Sequence, residues 1–283
     1  MTLTKAHAAR EVRTKSWTLR YYEAGAADAH PMILLHGSGP GATGWSNFSG
    51  NIESLAEQFH VYAVDMPGWG ESDAVTIDEL DHTQAAVEFL DALGIDKAAF
   101  VGNSMGGHTS TRLATLHPDR ISHLITMGAP ANPGPRLFGP GGGPSEGIKV
   151  LVQAYQNPDA QNMKRLVEIM TFDSERFATD ELTQARSDAA LARPDHLGNY
   201  LAGLSRGGPV PTWVDVEDLG GIDVPTLLVH GRDDRVVHYE HSLFALAHIP
   251  NSRLALINRC GHWAMIEHAD EFNRLVADFI SHN

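Results

Sequence analysis

The chain has a single cysteine, Cys260, among its 283 residues, which excludes an internal disulfide framework and a cysteine-built metal site. Basic residues are also scarce. Lys and Arg number 21 against 35 Asp and Glu, the formal net charge is −14, and no basic cluster exceeds two residues. A nucleic-acid partner would meet general repulsion, so that class is set aside. Long apolar runs are missing too. No stretch approaches the roughly 18 residues of a membrane span, and residues 1–12 lack the apolar segment of a signal peptide. A cytoplasmic protein with no membrane partner is the expectation. The 16 histidines show no H-x-x-x-H or H-E-x-x-H pairing beside carboxylates in the candidate catalytic loops, so neither a metal nor another cofactor is expected.

What is present is ample apolar material, 42% of residues, enough for a buried core and against disorder. Short apolar runs at 32–35, 61–64, 98–101, 121–127, 226–229 and 254–257 read as buried strands. Helix-period segments at 83–93, 107–116, 240–247 and 269–280 lie between or after them. This alternation predicts an α/β fold with a mostly parallel sheet flanked by helices. The rhythm breaks over 131–212. A Gly/Pro-rich linker at 132–144 opens that stretch, helical segments follow around 147–155, 162–172, 179–191 and 194–204, and Gly207-Gly208-Pro209 closes it. The expected division is a core of 1–130 and 213–283 with an inserted helical lid, 131–212, over the carboxyl ends of the strands.

Three motifs fall at those strand ends. Gly102-Asn103-Ser104-Met105-Gly106 follows the run at 98–101 and precedes a helix. It is the G-x-S-x-G pattern in which a sharp turn exposes a serine and aims the next N–H, that of Met105, at a developing oxyanion. Gly231 to Val237 follows the strand at 226–229 and supplies Asp233 and Asp234, while Cys260-Gly261-His262-Trp263 follows the strand at 254–257. The chain order Ser104, Asp234, His262 is that of the α/β-hydrolase triad: a neutral imidazole takes the serine proton, and a carboxylate fixes its tautomer. Asp234 fits the spacing better, with Asp233 as the alternative. His36-Gly37-Ser38-Gly39-Pro40-Gly41-Ala42 leaves the first run of the parallel set and lets backbone N–H groups approach a ligand oxygen. Ser38 N–H is the second expected oxyanion donor. His36 reads as a buried residue holding this loop.

On these residues, together with Trp45-Ser46-Asn47-Phe48, Glu146-Gly147-Ile148-Lys149, Arg186 and Glu267 to Asn273, the chain resembles the meta-cleavage-product hydrolases of bacterial aromatic and steroid degradation. The likeness runs from about Tyr21 to Phe279. Ser38 departs from the pattern, since many members carry glycine there. The Gly-rich run at 138–144 departs from it too.

The resemblance implies hydrolysis of the C5–C6 bond of a 2-hydroxy-6-oxo-2,4-dienoate, giving 2-hydroxypenta-2,4-dienoate and a carboxylic acid. Ser104, Asp234 and His262 would be catalytic, and Ser38 and Met105 would form the oxyanion hole. Gly37, Gly39, Asn47, Asn103, Arg186 and Trp263 would bind substrate, with Arg186 and Asn103 polarising the 1-carboxylate and 2-oxygen. By default Arg186 would be a solvated helix arginine, Asn47 a helix-cap residue and Trp263 packing beneath the histidine loop. Met163, Met170 and Phe172 fit lid core or pocket wall equally. The partner expected is a small anionic dienoate, and the protein is expected to form a homo-oligomer. An ester or lactone hydrolase with the same triad stays open, as does a small-molecule receptor on this fold.

Overall fold

Apolar runs without a polar face need cover on both sides, and helices packed on the two faces of the sheet supply it. The computed structural model describes residues 3–76, 78–131, 138, 143–205, 214 and 216–283. Strands β1 (Ala9–Arg13), β2 (Thr18–Ala24), β3 (His30–Leu35), β4 (Phe59–Val64), β5 (Ala98–Asn103), β6 (Ile121–Met127), β7 (Thr226–Gly231) and β8 (Ser252–Ile257) form one sheet among the described residues. Its order is β1-β2-β4-β3-β5-β6-β7-β8. Every residue of β4, β5 and β7 is buried. β2 pairs antiparallel with β1 and β4, and all pairs from β4 to β8 are parallel. The chain adopts the α/β-hydrolase fold, a mostly parallel sheet flanked by helices.

Helices α1 (Lys5–Ala8), α2 (Gly44–Leu55), α3 (His82–Leu93) and α4 (Met105–Leu116) occupy the first half. Helices α5 (Glu146–Gln156), α6 (Ala160–Met170), α7 (Ser174–Phe177), α8 (Asp180–Leu191) and α9 (Pro194–Ser205) come between β6 and β7. The chain ends with α10 (Val216–Gly220), α11 (Glu240–His248), α12 (Ala264–Glu267) and α13 (Ala269–His282). Among the described residues no helix is long and apolar enough to cross a membrane. Most of the linker expected over 132–144, and Gly207-Gly208-Pro209, lie outside the described residues.

Helices α5, α6, α7 and α8 each start at a side chain that accepts a first-turn N–H: Ser145, Asp159, Asp173 and Thr179. Each such cap contributes roughly 0.5–2 kcal/mol. Their apolar faces, including Leu151, Met163, Leu166 and Met170, join one core with Trp263, Met265 and Phe272. These helices therefore share a hydrophobic core with the sheet. Parallel register sets Leu35 beside Gly102, Asn103 beside Met127 and Gly231 beside Ile257. The loops leaving β3, β5, β7 and β8 thus emerge along one edge.

Candidate active site

Ser104 occupies the turn between β5 and α4 at φ 51°, ψ −113°, a left-handed conformation costing a β-carbon residue about 1–3 kcal/mol. The turn is enforced by close packing. A Cβ on Gly106 would lie 2.2 Å from the Leu35 carbonyl oxygen, so only glycine lets α4 start this near β3. Ser104 N–H donates to the Met127 carbonyl at 2.7 Å, and its side chain makes no cap bond to the helix. Met105 begins α4, where the backbone N–H groups lack helical partners.

His262 and Asp234 meet in the interior. His262 Nδ1 donates to Asp234 Oδ2 at 2.7 Å, leaving Nε2 as the acceptor. Asp234 Oδ1 accepts from the N–H groups of Val236 and Val237 at 2.7 and 3.0 Å. Burial opposes the Asp234 charge, but His262 and His230 beside it hold the carboxyl well below the usual carboxylate range. Asp233 instead accepts from Arg259 N–H and faces Arg232 at the surface, so Asp234 is the carboxylate that reaches the histidine. A Cβ on Gly128 would lie 2.8 Å from His262 Nδ1 and 3.1 Å from Asp234 Oδ2. That glycine leaves room for the pair.

Gly37, Ser38, Gly39, Asn47, Asn103, Ser104, Arg186, His262 and Trp263 line a single cavity, walled by Ala42, Ile148, Leu151, Met170 and Val236. Three of its groups lack partners. Arg186 is 2% exposed, and neither its Nε nor its two Nη atoms make a hydrogen bond. Its guanidinium carbon lies 4.4 Å from the Trp263 ring centroid. Burial lowers its pKa to about 10, so it stays charged at neutral pH. The Oδ1 atoms of Asn47 and Asn103 are likewise buried and unpartnered. A desolvated cation without a counter-charge costs several kcal/mol, and a site that retains one is suited to an anion.

The structure changes several expectations. Arg186 is enclosed and unpaired where a lone helix arginine would be solvated, and Trp263 both packs and lines the cavity. Asn103 Nδ2 donates to the carbonyls of Met127 and His262, each at 3.3 Å. Its free atom is therefore an acceptor. It can accept a hydrogen bond from a hydroxyl, while its N–H groups are already engaged by those two carbonyls. Met163 is core at 0% exposure, Met170 is cavity wall, and Phe172 is 43% exposed.

His36 Nδ1 donates to the Gly37 carbonyl at 2.8 Å, and its Nε2 accepts from Met66 N–H at 3.0 Å. Burial lowers its pKa to about 4. It holds the loop after β3 as a neutral ring.

Glu267 went without a role in the sequence. Its Oε1 accepts from Phe172 and Asp173 N–H at 2.7 and 3.1 Å, and its Oε2 from Gly261 N–H at 2.6 Å. Burial pushes this carboxyl up, and the N–H groups pull it back in part. It joins the end of α6 to the loop carrying His262. A carboxylate five residues beyond the histidine of a strand-end loop, at the end of an apolar turn, is the signal that could have marked it. Among the described residues no three His, Cys, Asp or Glu side chains gather as a metal site would require.

Residues 30–269 match the family model described as alpha/beta hydrolase fold. The chain is 41% identical over 289 residues to the 2-hydroxy-6-oxononadienedioate/2-hydroxy-6-oxononatrienedioate hydrolase 1 of Dechloromonas aromatica, covering 99% of this chain and 98% of that one. It is 40% identical over 284 residues to the 2-hydroxy-6-oxo-6-phenylhexa-2,4-dienoate hydrolase of Burkholderia cepacia, covering 99% and 97%. Among solved structures, the meta-cleavage product hydrolase from Pseudomonas fluorescens IP01 matches with a TM-score of 0.85 at 29% identity, over 98% of this chain and 99% of that one.

Proposed function

This chain belongs to the meta-cleavage-product hydrolases of the α/β-hydrolase fold, and we propose that it hydrolyses the C5–C6 bond of a 2-hydroxy-6-oxo-hexa-2,4-dienoate, yielding 2-hydroxypenta-2,4-dienoate and a carboxylic acid. The observation that carries this reading is the buried, charged and unpartnered Arg186 in the same cavity as Ser104. A neutral ester would leave that charge uncompensated; a dienoate carboxylate pairs with it.

The substrate's 1-carboxylate lies against Arg186, which Trp263 holds flat. Its 2-hydroxyl donates to Asn103 Oδ1, the free acceptor, with Asn47 Oδ1 as the second acceptor available in the cavity. Gly37 and Gly39 lend the wall close backbone. The dienol must first take its keto form, the hydroxyl proton leaving the 2-oxygen and a proton reaching C5, because only then is C5 a saturated carbon conjugated through C3=C4 to a C2 carbonyl that can accept the electron pair of the C5–C6 bond. His262 Nε2 serves this proton movement and takes the Ser104 proton as Ser104 Oγ attacks C6 or directs water onto it. The C6 oxyanion rests on the N–H groups of Ser38 and Met105. As C5–C6 breaks, its electron pair passes into the 2-oxo-enoate and reforms the dienol, while water supplies the hydroxyl of the carboxylic acid. Asp234 keeps His262 in the Nδ1–H tautomer and stabilises the imidazolium. Residues 131–212 act as the lid over the core of 1–130 and 213–283.

The test follows the visible absorbance of several 2-hydroxy-6-oxo-dienoates on mixing with enzyme. Turnover of at least one, at a kcat/KM well above that of a p-nitrophenyl ester, supports the assignment. Ester turnover with no dienoate loss would overturn it.

A further inference from the structure

The loop bearing Ser38 is held from above by lid helices. Tyr155, buried on α5, donates its hydroxyl to the Ser38 carbonyl at 2.5 Å. The Trp69 indole N–H is shared between the Tyr155 oxygen at 3.1 Å and the Gly39 carbonyl at 3.2 Å. A relay of donors thus runs from Trp69 through Tyr155 to Ser38, each bond polarising the next. Tyr200, on α9, stacks on Tyr155 with ring centroids 3.7 Å apart and planes 10° apart, and its phenol also bonds to Ser38. Burial raises the Tyr155 phenol well above its ordinary pKa, so it remains a donor across the working pH range.

These contacts bear on one N–H. The planar peptide that carries the Gly37 carbonyl also carries Ser38 N–H, pointing the opposite way. His36 fixes that carbonyl from below, and Tyr155 fixes the following carbonyl, that of Ser38, from above. With both flanking carbonyls tied, the backbone of Ser38 has one orientation. At Gly39 itself the loop has open space, a Cβ there meeting nothing within 4 Å, and that residue is held through its carbonyl by the Trp69 indole and Ala42 N–H.

We infer that Tyr155 is a positioning residue for the oxyanion hole, and that seating of α5 on the Ser38 carbonyl and of α9 on the Ser38 side chain completes that hole. The inference rests on the assignment of Ser38 N–H as an oxyanion donor made above. It gives the lid a chemical duty besides shielding: while the lid is displaced, Ser38 N–H is not aimed, and attack at C6 waits for closure.

Tyr155→Phe removes one hydroxyl and keeps the stacked ring. Three assays are run: kcat and KM on a dienoate, kcat and KM on p-nitrophenyl acetate, and the inhibition constant of phenylboronic acid, which forms a tetrahedral adduct on a reactive serine. Both kcat values should fall about tenfold or more, short of the roughly 10²–10³-fold that follows complete loss of an oxyanion donor. KM should change much less, and boronate affinity should weaken by a similar factor. Trp69→Phe, which breaks the relay one step earlier, should shift all three in the same direction. Unchanged boronate affinity in both variants, with or without a change in kcat, would overturn the inference. His36→Asn separates the premises. If it weakens boronate binding and Tyr155→Phe does not, Ser38 keeps its assignment and Tyr155 loses its role. If neither does, the Ser38 assignment itself fails. The ester and boronate arms need no dienoate, so absence of dienoate turnover would count against the proposed substrate alone.

Discussion

Replacing Arg186 with Gln removes the positive charge from the cavity and leaves Ser104, Asp234 and His262 untouched. Keeping that guanidinium ionised while buried lowers its pKa to about 10, a cost on the order of 3 kcal/mol. Stacking on Trp263 offsets roughly 0.5–2 kcal/mol of it. In the free enzyme the remainder is an uncompensated penalty, because no hydrogen bond reaches Nε or either Nη. A bound carboxylate reverses the balance. Truncating one partner of such a desolvated pair typically costs about 2–4 kcal/mol, which is roughly 30- to 900-fold in kcat/KM toward a dienoate. The assay sets loss of dienoate absorbance against p-nitrophenolate release by the same preparations. Ester hydrolysis should change less than about threefold, since a neutral ester has nothing to pair with Arg186. The variant's melting temperature should stay level or rise, because a costly buried charge has gone. Equal losses on both substrates, or a marked drop in melting temperature, would refute the reasoning and make Arg186 a structural residue.

Ser104→Ala should lower steady dienoate turnover by about 10³-fold or more while binding persists. Equilibrium titration of the dienoate's absorbance checks the binding, and near-wild-type turnover would exclude a serine mechanism. Stability should also depend on pH through buried neutral histidines. Burial lowers the pKa of His82 to about 4 against about 6.5 when unfolded. The unfolded chain therefore binds the proton more tightly, and stability is lost as pH falls from about 6.5 to 4, by about 2 kcal/mol at pH 5. His36 acts in the same direction. Asp65 acts in the opposite one, because burial raises its pKa to about 7. Urea unfolding at pH 7 and pH 5 isolates the His82 share: His82→Gln should shrink the difference by about 2 kcal/mol, and an unchanged difference would contradict the burial argument.

The inner parallel strands were legible because burial on both faces writes itself as a continuous apolar run, while β8 at the sheet edge carries such a run although Leu256 is 42% exposed. The runs at 32–35, 61–64, 98–101, 121–127, 226–229 and 254–257 all lie inside strands. The antiparallel β1 and β2 escaped, since their half-exposed sequences AREVR and TLRYYEA carry no such run. Helix α2 escaped for another reason. GWSNFSGNIESL has the composition of a turn, yet its capping box at Thr43 and burial of Phe48, Ile52 and Leu55 outweigh weak helix propensity. At the site, the elbow, the Asp234 loop and the His262 loop were readable because each needs particular residues next to a strand end. What lay beyond reach depends on packing between distant segments. The enclosure of Arg186 without a partner, the inward turn of the Asn103 amide and the meeting of Tyr155 with the Ser38 carbonyl leave no local pattern. Glu267 clamps the His262 loop to residues 172–173, and its backbone partners have no sequence identity to read.

The central claim is that water is added across a carbon–carbon bond, and product analysis in ¹⁸O-labelled water tests it most directly. Wild-type enzyme and a 2-hydroxy-6-oxo-dienoate should yield two fragments by mass spectrometry. The carboxylic acid should carry at least one ¹⁸O drawn from water, and the 2-hydroxypentadienoate should gain none in the cleavage step. A dienoate recovered with its carbon skeleton intact, whether unchanged, tautomerised or hydrated, would contradict the account.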